Sequence, residues 1–365
     1  MSKFETLFSY LSVVDAKILD YLAGSPAALV LQPPHLYDHV WSYIRRPAKR
    51  LRPALAMLAC GAVGGDPENS IPAAAAIEMF HTWTLVHDDV IDNDALRRGS
   101  PTVHVAAAAY GAREFDLDAE EALEYGRSMA ILTGDAQSGW STALLSECGL
   151  NGSVDPLVVL RLVHHLQSHV VALLLSGEAL DVEYGLGRDQ FRVDIDADKI
   201  LEMLWLKTGV LCEFAARAGA MIGKNTPLLD DADVSAIATF AGRCGIAFQL
   251  QDDIIGILGE ESDTGKPVGS DIREGKLTLI VYEALRNASS SQRASLLAVL
   301  GNREASSSEV SRATALLQEL GGVARASALA LEYVAGALPL LDRIPESPSK
   351  GLLQSWAGFM IDRRF

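Results

Sequence analysis

Four aspartates, Asp88, Asp89, Asp92 and Asp94, crowd into the stretch HTWTLVHDDVIDNDALRRG from His81 to Gly99. On a helix, i, i+4 spacing puts Asp88 and Asp92 on one face. Like charges so placed repel, and a helix C-terminus is already the negative end of the backbone dipole. The arrangement calls for a cation. Mg²⁺ fits, because it takes a few carboxylates and fills its remaining octahedral positions with water and phosphate oxygens. Arg97 and Arg98 follow directly, and forked guanidinium donors suit a diphosphate that shares the metal.

A second acidic pair lies in FQLQDDIIG, Phe248 to Gly256, where Gln249, Asp252 and Asp253 are spaced to share a helical face. One such cluster alone describes a helix end dressed with solvated acids. Two pairs, each within an apolar helix, favour a function, because burying carboxylates without counter-charge is costly. Placed opposite each other, the two helices would form a carboxylate cage for several divalent ions and a diphosphate between them.

Cations are concentrated in the run Arg45, Arg46, Lys49, Arg50 and Arg52. Such a run can be a plain surface patch. Here prolines on both sides, Pro47 and Pro53, stiffen it and could hold Lys49 and Arg52 towards one anion. His81 lies two turns before Asp88 on nearly the same face, so its ring could donate to a phosphate oxygen; a satisfied core histidine has the same pattern. Lys207, in LWLKTG, sits on an apolar helix, where a lysine is rarely left unpaired. Lys266, in TGKPVGSD, does not belong to a P-loop, since GxxxxGK[ST] is absent, but it could close over a phosphate as a point charge. There is no HExxH, no GxSxG and no GxGxxG following a strand.

The elements that must hold these residues are helices. Of 365 residues 49% are hydrophobic and only 7% aromatic, with alanine and leucine abundant, which favours an all-α fold. Periodicity and breakers predict helices over Thr6–Leu31, Leu36–Ile44 and Ala54–Cys60, then one from Pro72 up to Gly99. Further helices are predicted over Met129–Glu147, Pro156–Leu175, Ile200–Ile222 and from Asp233 to Leu258, and then over Leu277–Leu285, Ser308–Leu320, Ala326–Leu341 and Leu352–Asp362. The acidic stretch Glu114 to Glu124 reads as a solvated face or loop. Gly242 and Gly245 fall inside a helix and imply close packing or substrate room. No repeat or Pro/Ser-rich linker divides the chain, so a single domain over 1–365 is expected.

A net charge of −16 argues against a nucleic-acid surface. Cys60, Cys148, Cys212 and Cys244 form no CxxC pair, which predicts neither disulfides nor zinc and points to a reduced, cytoplasmic setting. The first residues lack the pattern of a secretory leader. Mean hydropathy is +0.17, yet no uninterrupted apolar stretch reaches bilayer length, so stable membrane insertion is not expected.

Taken in order, KRLRP (Lys49–Pro53), ExxH (Glu78–His81), LVHDDVID with RRG, LTGD, KTG, FQLQDD, TGKPVGSD and EGKLTL resemble the polyprenyl synthetases, the trans-isoprenyl diphosphate synthases, over nearly the whole chain. The resemblance implies one large helical bundle around a deep apolar cavity and a homodimer. It implies Mg²⁺ on Asp88 and Asp92, with Asp89 in support, and on Asp252; three ions per loaded site are implied, with Mn²⁺ able to substitute. Arg97, Lys207 with Thr208, Gln249 and Lys266 would hold the allylic diphosphate, and Lys49, Arg52, His81 and Arg98 isopentenyl diphosphate. The implied reaction ionises the allylic C–O bond, lets the isopentenyl double bond attack the cation, and releases a proton.

Two positions depart from the family pattern. The basic motif has Pro47 and Ala48 where glycine is usual, and Gly256 stands where the second acidic motif usually ends in aspartate. Bulky residues just before the first aspartate act as the floor of the elongation pocket in the family. Trp83, about 7 to 8 Å along the axis from Asp88, with Phe80 and Thr84, therefore implies a C15 to C20 product, geranylgeranyl diphosphate first, although an aromatic simply filling core fits the position nearly as well. Two rival readings are a class I terpene cyclase, which needs no isopentenyl site, and a non-catalytic subunit of a heteromeric synthase.

Overall fold

The computed structural model describes residues 3–26, 30–185, 195–259 and 269–362, so Lys266 lies outside the described residues. Within them the chain is helical apart from one two-stranded hairpin, Leu96–Arg97 with Ser100–Pro101. It divides into two compact units, each assembled from three stretches of sequence.

The first unit comprises Met1–His165, Ala215–Ser235 and Ile344–Leu353. Its first helix, Glu5–Gly24, buries Leu7, Leu11, Val14, Ile18 and Leu22, the stripe expected of an amphipathic helix. At its centre the Ile71–Ile91 helix packs along Ala119–Leu150, which also carries Val103–Phe115. Ala73 to Ala76 are buried on the Ile71–Ile91 helix, where side chains this small allow close approach. The helix Leu51–Ala62 begins at Arg50, whose backbone is left-handed (φ 46°). That conformation points the Arg50 guanidinium inward, to the buried carboxylate of Glu78, to Asp15 at 2.7 Å and to the Ile44 carbonyl. Glu78 and Asp15 more than offset the burial that disfavours the cation, so the Arg50 pKa is raised.

The second unit comprises Leu166–Phe214, Ala236–Arg343 and Gln354–Phe365. Here the helix starting at Ala197 widens into a π-turn, Trp205–Gly209, before continuing as Val210–Lys224. A side-chain carbon on Gly245 would stand 2.9 Å from the Gly209 Cα, and one on Gly209 would stand 3.1 Å from the Gly242 carbonyl oxygen. Close backbone packing is thus the reason for glycines inside the Ala232–Leu258 helix.

Several boundaries differ from those predicted. The central helix stops at Ile91, so Asp92, Asp94 and both arginines lie beyond its last turn. The acidic stretch opens a 32-residue helix, because Asp118 and Glu121 form a capping box. Another capping box, Ser289 with Gln292, starts an unpredicted helix, Ser290–Val299. Two helices, Pro156–Gly185 and Gly322–Arg343, are long and apolar enough on average to cross a bilayer, a criterion that core helices of globular proteins also meet. Neither is an uninterrupted apolar run, because charged residues such as Arg161, Glu178 and Glu332 punctuate them.

Candidate active site

In the first unit the acids are organised by the chain reversal that follows the central helix. The Asp92 N–H closes the last turn on the Asp88 carbonyl at 2.8 Å, and the Asp94 N–H reaches the Asp89 carbonyl at 3.0 Å. Arg98 and Gly99 then both take left-handed backbone, at φ 53° and 71°. Two such residues in a two-residue loop match the twist of a tight hairpin. The reversal carries Arg97 back over the acids. Its Nε donates to Asp89 Oδ1 at 2.7 Å, and its Nη2 reaches Asp89 Oδ1 at 2.6 Å and Asp88 Oδ2 at 3.2 Å.

Asp89 is fully buried, and its other oxygen accepts the Tyr43 hydroxyl proton. The Tyr43 oxygen accepts in turn from the Val103 N–H at 3.2 Å. Burial pushes the Asp89 carboxyl above the usual range, and Arg97 and Tyr43 only partly restore it. Burial opposes the Arg97 cation too, but the bond to Asp89 outweighs it and raises the Arg97 pKa. Burial and the neighbouring Asp89 charge drive the Tyr43 phenol upward. Asp89 is thereby committed to the fold, while Asp88 and Asp92 stay half-buried. Among the described residues no three His, Cys, Asp or Glu side chains gather into a ready-made metal cage. The half-buried carboxylates of Asp88 and Asp92 suit a hard ion that takes few protein ligands and keeps water and phosphate in its other positions.

Arg46 from the basic run clamps the hairpin. Its guanidinium donates to the carbonyls of Arg97 at 2.9 Å and Pro101 at 2.7 Å, and lies 4.5 Å over the Tyr43 ring. Beside it, Arg52 Nη1 is 3.1 Å from His81 Nε2. The His81 pKa falls well below the ordinary value, first through burial and then through Arg52, Arg98, Arg97 and Arg50. The ring is neutral, and with Nε2 accepting from Arg52 its proton is on Nδ1. Arg52, His81 and Arg98 therefore form one electropositive group, while Lys49 is exposed near it in sequence. Arg98 also approaches the Pro47 carbonyl at 3.4 Å.

In the second unit Lys207 and Thr208 stand on the π-turn, a feature often found at functional sites. Lys207 Nζ meets Asp181 at 2.6 Å and Glu178 at 3.0 Å, and Lys276 lies 3.8 Å from Asp181. The Thr208 hydroxyl donates to Gln249 Oε1 at 2.8 Å, and the Gln249 amide donates to Asp253 Oδ1 at 3.0 Å. Burial drives the Asp253 carboxyl up to about 7, against the pull of Lys276 and Gln249. Asp252 is half-buried beside it. Gly256 leaves space that the Asp271 carboxylate occupies, since a side-chain carbon there would stand 2.4 Å from Asp271 Oδ2.

The sequence points to none of Tyr43, Glu178 and Asp181, and to Arg46 only as one member of the basic run. Glu178 and Asp181, two carboxylates three apart on an apolar helix, carried the same signal as the aspartate pairs. For product length, Trp83 is buried, edge-on to Phe80 with centroids 4.8 Å apart. Thr84 is half-buried, its hydroxyl donating to the His81 carbonyl at 2.8 Å.

The polyprenyl synthetase family pattern matches residues 33–317. A short chain isoprenyl diphosphate synthase of Methanothermobacter thermautotrophicus is 33% identical over 365 residues, covering 100% of this chain and 99% of that one. A geranylgeranyl pyrophosphate synthetase structure from Pyrococcus horikoshii is 30% identical, with TM-score 0.81 and full coverage of both chains. A geranylgeranyl pyrophosphate synthase structure from Corynebacterium glutamicum, complexed with isoprenyl diphosphate and magnesium, is 26% identical with TM-score 0.84, covering 98% of this chain and 99% of that one. Ordered motifs, helical fold and these likenesses agree: the chain belongs to the polyprenyl synthetase family.

Proposed function

We propose that the chain is a Mg²⁺-dependent prenyltransferase that condenses isopentenyl diphosphate head-to-tail with an allylic diphosphate. The observation that carries this reading is the difference in burial at the first acidic set: Asp89 is buried and bonded to Arg97 and Tyr43, whereas Asp88 and Asp92, at the end of the same helix, are half-buried and open to an ion as its ligands. Asp252 is the ligand on the second acidic helix. Bound Mg²⁺ supplies charge to the leaving diphosphate. Three ions per loaded centre, with Mn²⁺ able to replace them, is the stoichiometry we assign.

Arg97, Lys207, Thr208, Gln249 and Lys266 hold the allylic diphosphate, and cations fixed before the reaction stabilise the charge that develops as the C–O bond breaks. Arg52, Arg98 and Lys49 bind the isopentenyl diphosphate, with the His81 Nδ1–H as a neutral donor. That separate cationic group favours condensation over terpene cyclisation, which has no second diphosphate to bind. Apolar walls exclude water from the carbocation. The product we assign is geranylgeranyl diphosphate, with Trp83 and Phe80 as the pocket floor and Thr84 on the metal-bearing face.

The two units act as one catalytic domain in this reading. Ile131 and Leu132 on one helix and Leu157 and Leu160 on the next are exposed apolar side chains that a homodimer could cover. Four free, buried cysteines suit a reducing, cytoplasmic setting. The test is turnover of labelled isopentenyl diphosphate with dimethylallyl, geranyl or farnesyl diphosphate, followed by product sizing. Asp88→Ala is expected to lower the rate by roughly 10³-fold; an undiminished rate would remove Asp88 from the metal site. Product formed from the allylic substrate alone would favour a cyclase.

A further inference from the structure

Trp83 is held by more than packing. Its indole N–H donates to His87 Nδ1 at 3.1 Å. His87 is itself fixed from the other side, its Nε2 lying 3.2 Å from the Ile131 carbonyl oxygen on the Ala119–Leu150 helix. An imidazole that accepts at Nδ1 and donates at Nε2 is one neutral tautomer, so the two bonds specify each other. Space for the ring comes from Gly134, where a side-chain carbon would stand 2.1 Å from His87 Nε2 and 2.4 Å from its Cδ2. Phe80 packs edge-on against the same indole, with ring centroids 4.8 Å apart.

We infer that His87 is a positioning residue for product length: seated in the Gly134 notch, it latches the Trp83 indole so that a growing chain cannot push it aside. The inference rests on the reading of Trp83 as the pocket floor. It makes chain length the property of an assembly on two helices, Phe80, Trp83 and His87 on one and Gly134 on the other. Without its acceptor the buried indole N–H is unsatisfied, and the ring turns to find another partner.

The test uses the full chain with Mg²⁺, labelled isopentenyl diphosphate and farnesyl diphosphate, comparing Trp83→Ala, His87→Leu, His87→Asn and Gly134→Ala, each checked for folding by circular dichroism. Trp83→Ala and His87→Leu are expected to lengthen the product by at least one isoprene unit, and Gly134→Ala to shift it the same way. His87→Asn, whose amide oxygen can accept from the indole, should keep the parental product. The double variant Trp83→Ala/His87→Leu should match Trp83→Ala alone. Exchange of the Trp83 indole proton, followed in ¹⁵N-tryptophan-labelled protein, should accelerate roughly tenfold in His87→Leu. The latch is overturned if Trp83→Ala lengthens the product while folded His87→Leu and Gly134→Ala do not, or if indole exchange is unchanged in His87→Leu. Unchanged products from Trp83→Ala would instead overturn the floor, and the length role of His87 with it, even if the indole exchange responds.

Discussion

The two acidic sets solve one electrostatic problem differently. At the first, the counter-charge is local: Arg97 lies eight residues after Asp89 and is returned to it by a tight hairpin. At the second it comes from afar, with Lys207 on the π-turn and Lys276 in the loop before the Leu279–Asn287 helix both meeting Asp181, and a neutral amide, Gln249, facing Asp253. The buried acid of the first set is therefore bonded directly to a cation, while that of the second is bonded to an amide and holds its proton up to about pH 7. A local ion pair belongs to the fold itself, whereas a distributed one leaves its carboxylates responsive to their surroundings.

The contrast can be broken in three ways. Asp252→Ala and Asp88→Ala should each reduce turnover by roughly 10³-fold if both sets serve the same metals. A loss confined to Asp88→Ala would make the second set structural. Next in size, Arg97→Ala strands the buried Asp89 charge and should cost about 3 kcal/mol in urea unfolding, because breaking a buried pair leaves one ion uncompensated. Removing Lys207, whose carboxylate partners are partly exposed, should cost much less stability; equal losses would erase the distinction.

The smallest expected effect concerns pH. The folded protein holds the Asp253 proton up to about pH 7, against an ordinary value of 3.8. Between those values the folded state binds more protons than the unfolded one, so Asp253 lowers stability as pH rises through that window. In Mg²⁺-free buffer Asp253→Asn should remove that decline and gain on the order of 2 kcal/mol over the parent above pH 7, with little difference near pH 4. Parallel melting curves at pH 5 and pH 8 would show that Asp253 is already compensated.

The same contrast explains what was legible in the sequence. Features written locally could be read: the helical class, most helix positions, both aspartate pairs, and Arg97 beside its acids. Where the central helix ends was misjudged, because Asp92 to Asp94 have no breaker and the stop is made by left-handed Asn93 and the hairpin behind it. The basic run looked uniform but has three uses, with Arg46 clamping the hairpin, Arg50 buried against Glu78, and Arg52 on His81. Nothing in a run of like residues separates these, since each use depends on a partner far along the chain. Glu178 and Asp181 were passed over for the same reason: their partner, Lys207, is nearly thirty residues away.

The hairpin loop also bears on how far this protein could be stabilised without losing activity. Arg98 occupies a backbone conformation that costs an ordinary L-residue about 1 kcal/mol and glycine nothing. Glycine there would lose a similar amount through greater freedom in the unfolded chain, about 0.5–1 kcal/mol. Arg98→Gly should therefore melt close to the parent while binding isopentenyl diphosphate more weakly, which calorimetry and KM together would reveal. The backbone has no need of arginine at this position, so selection for thermal stability alone would let the side chain drift, and only selection for substrate capture would keep it.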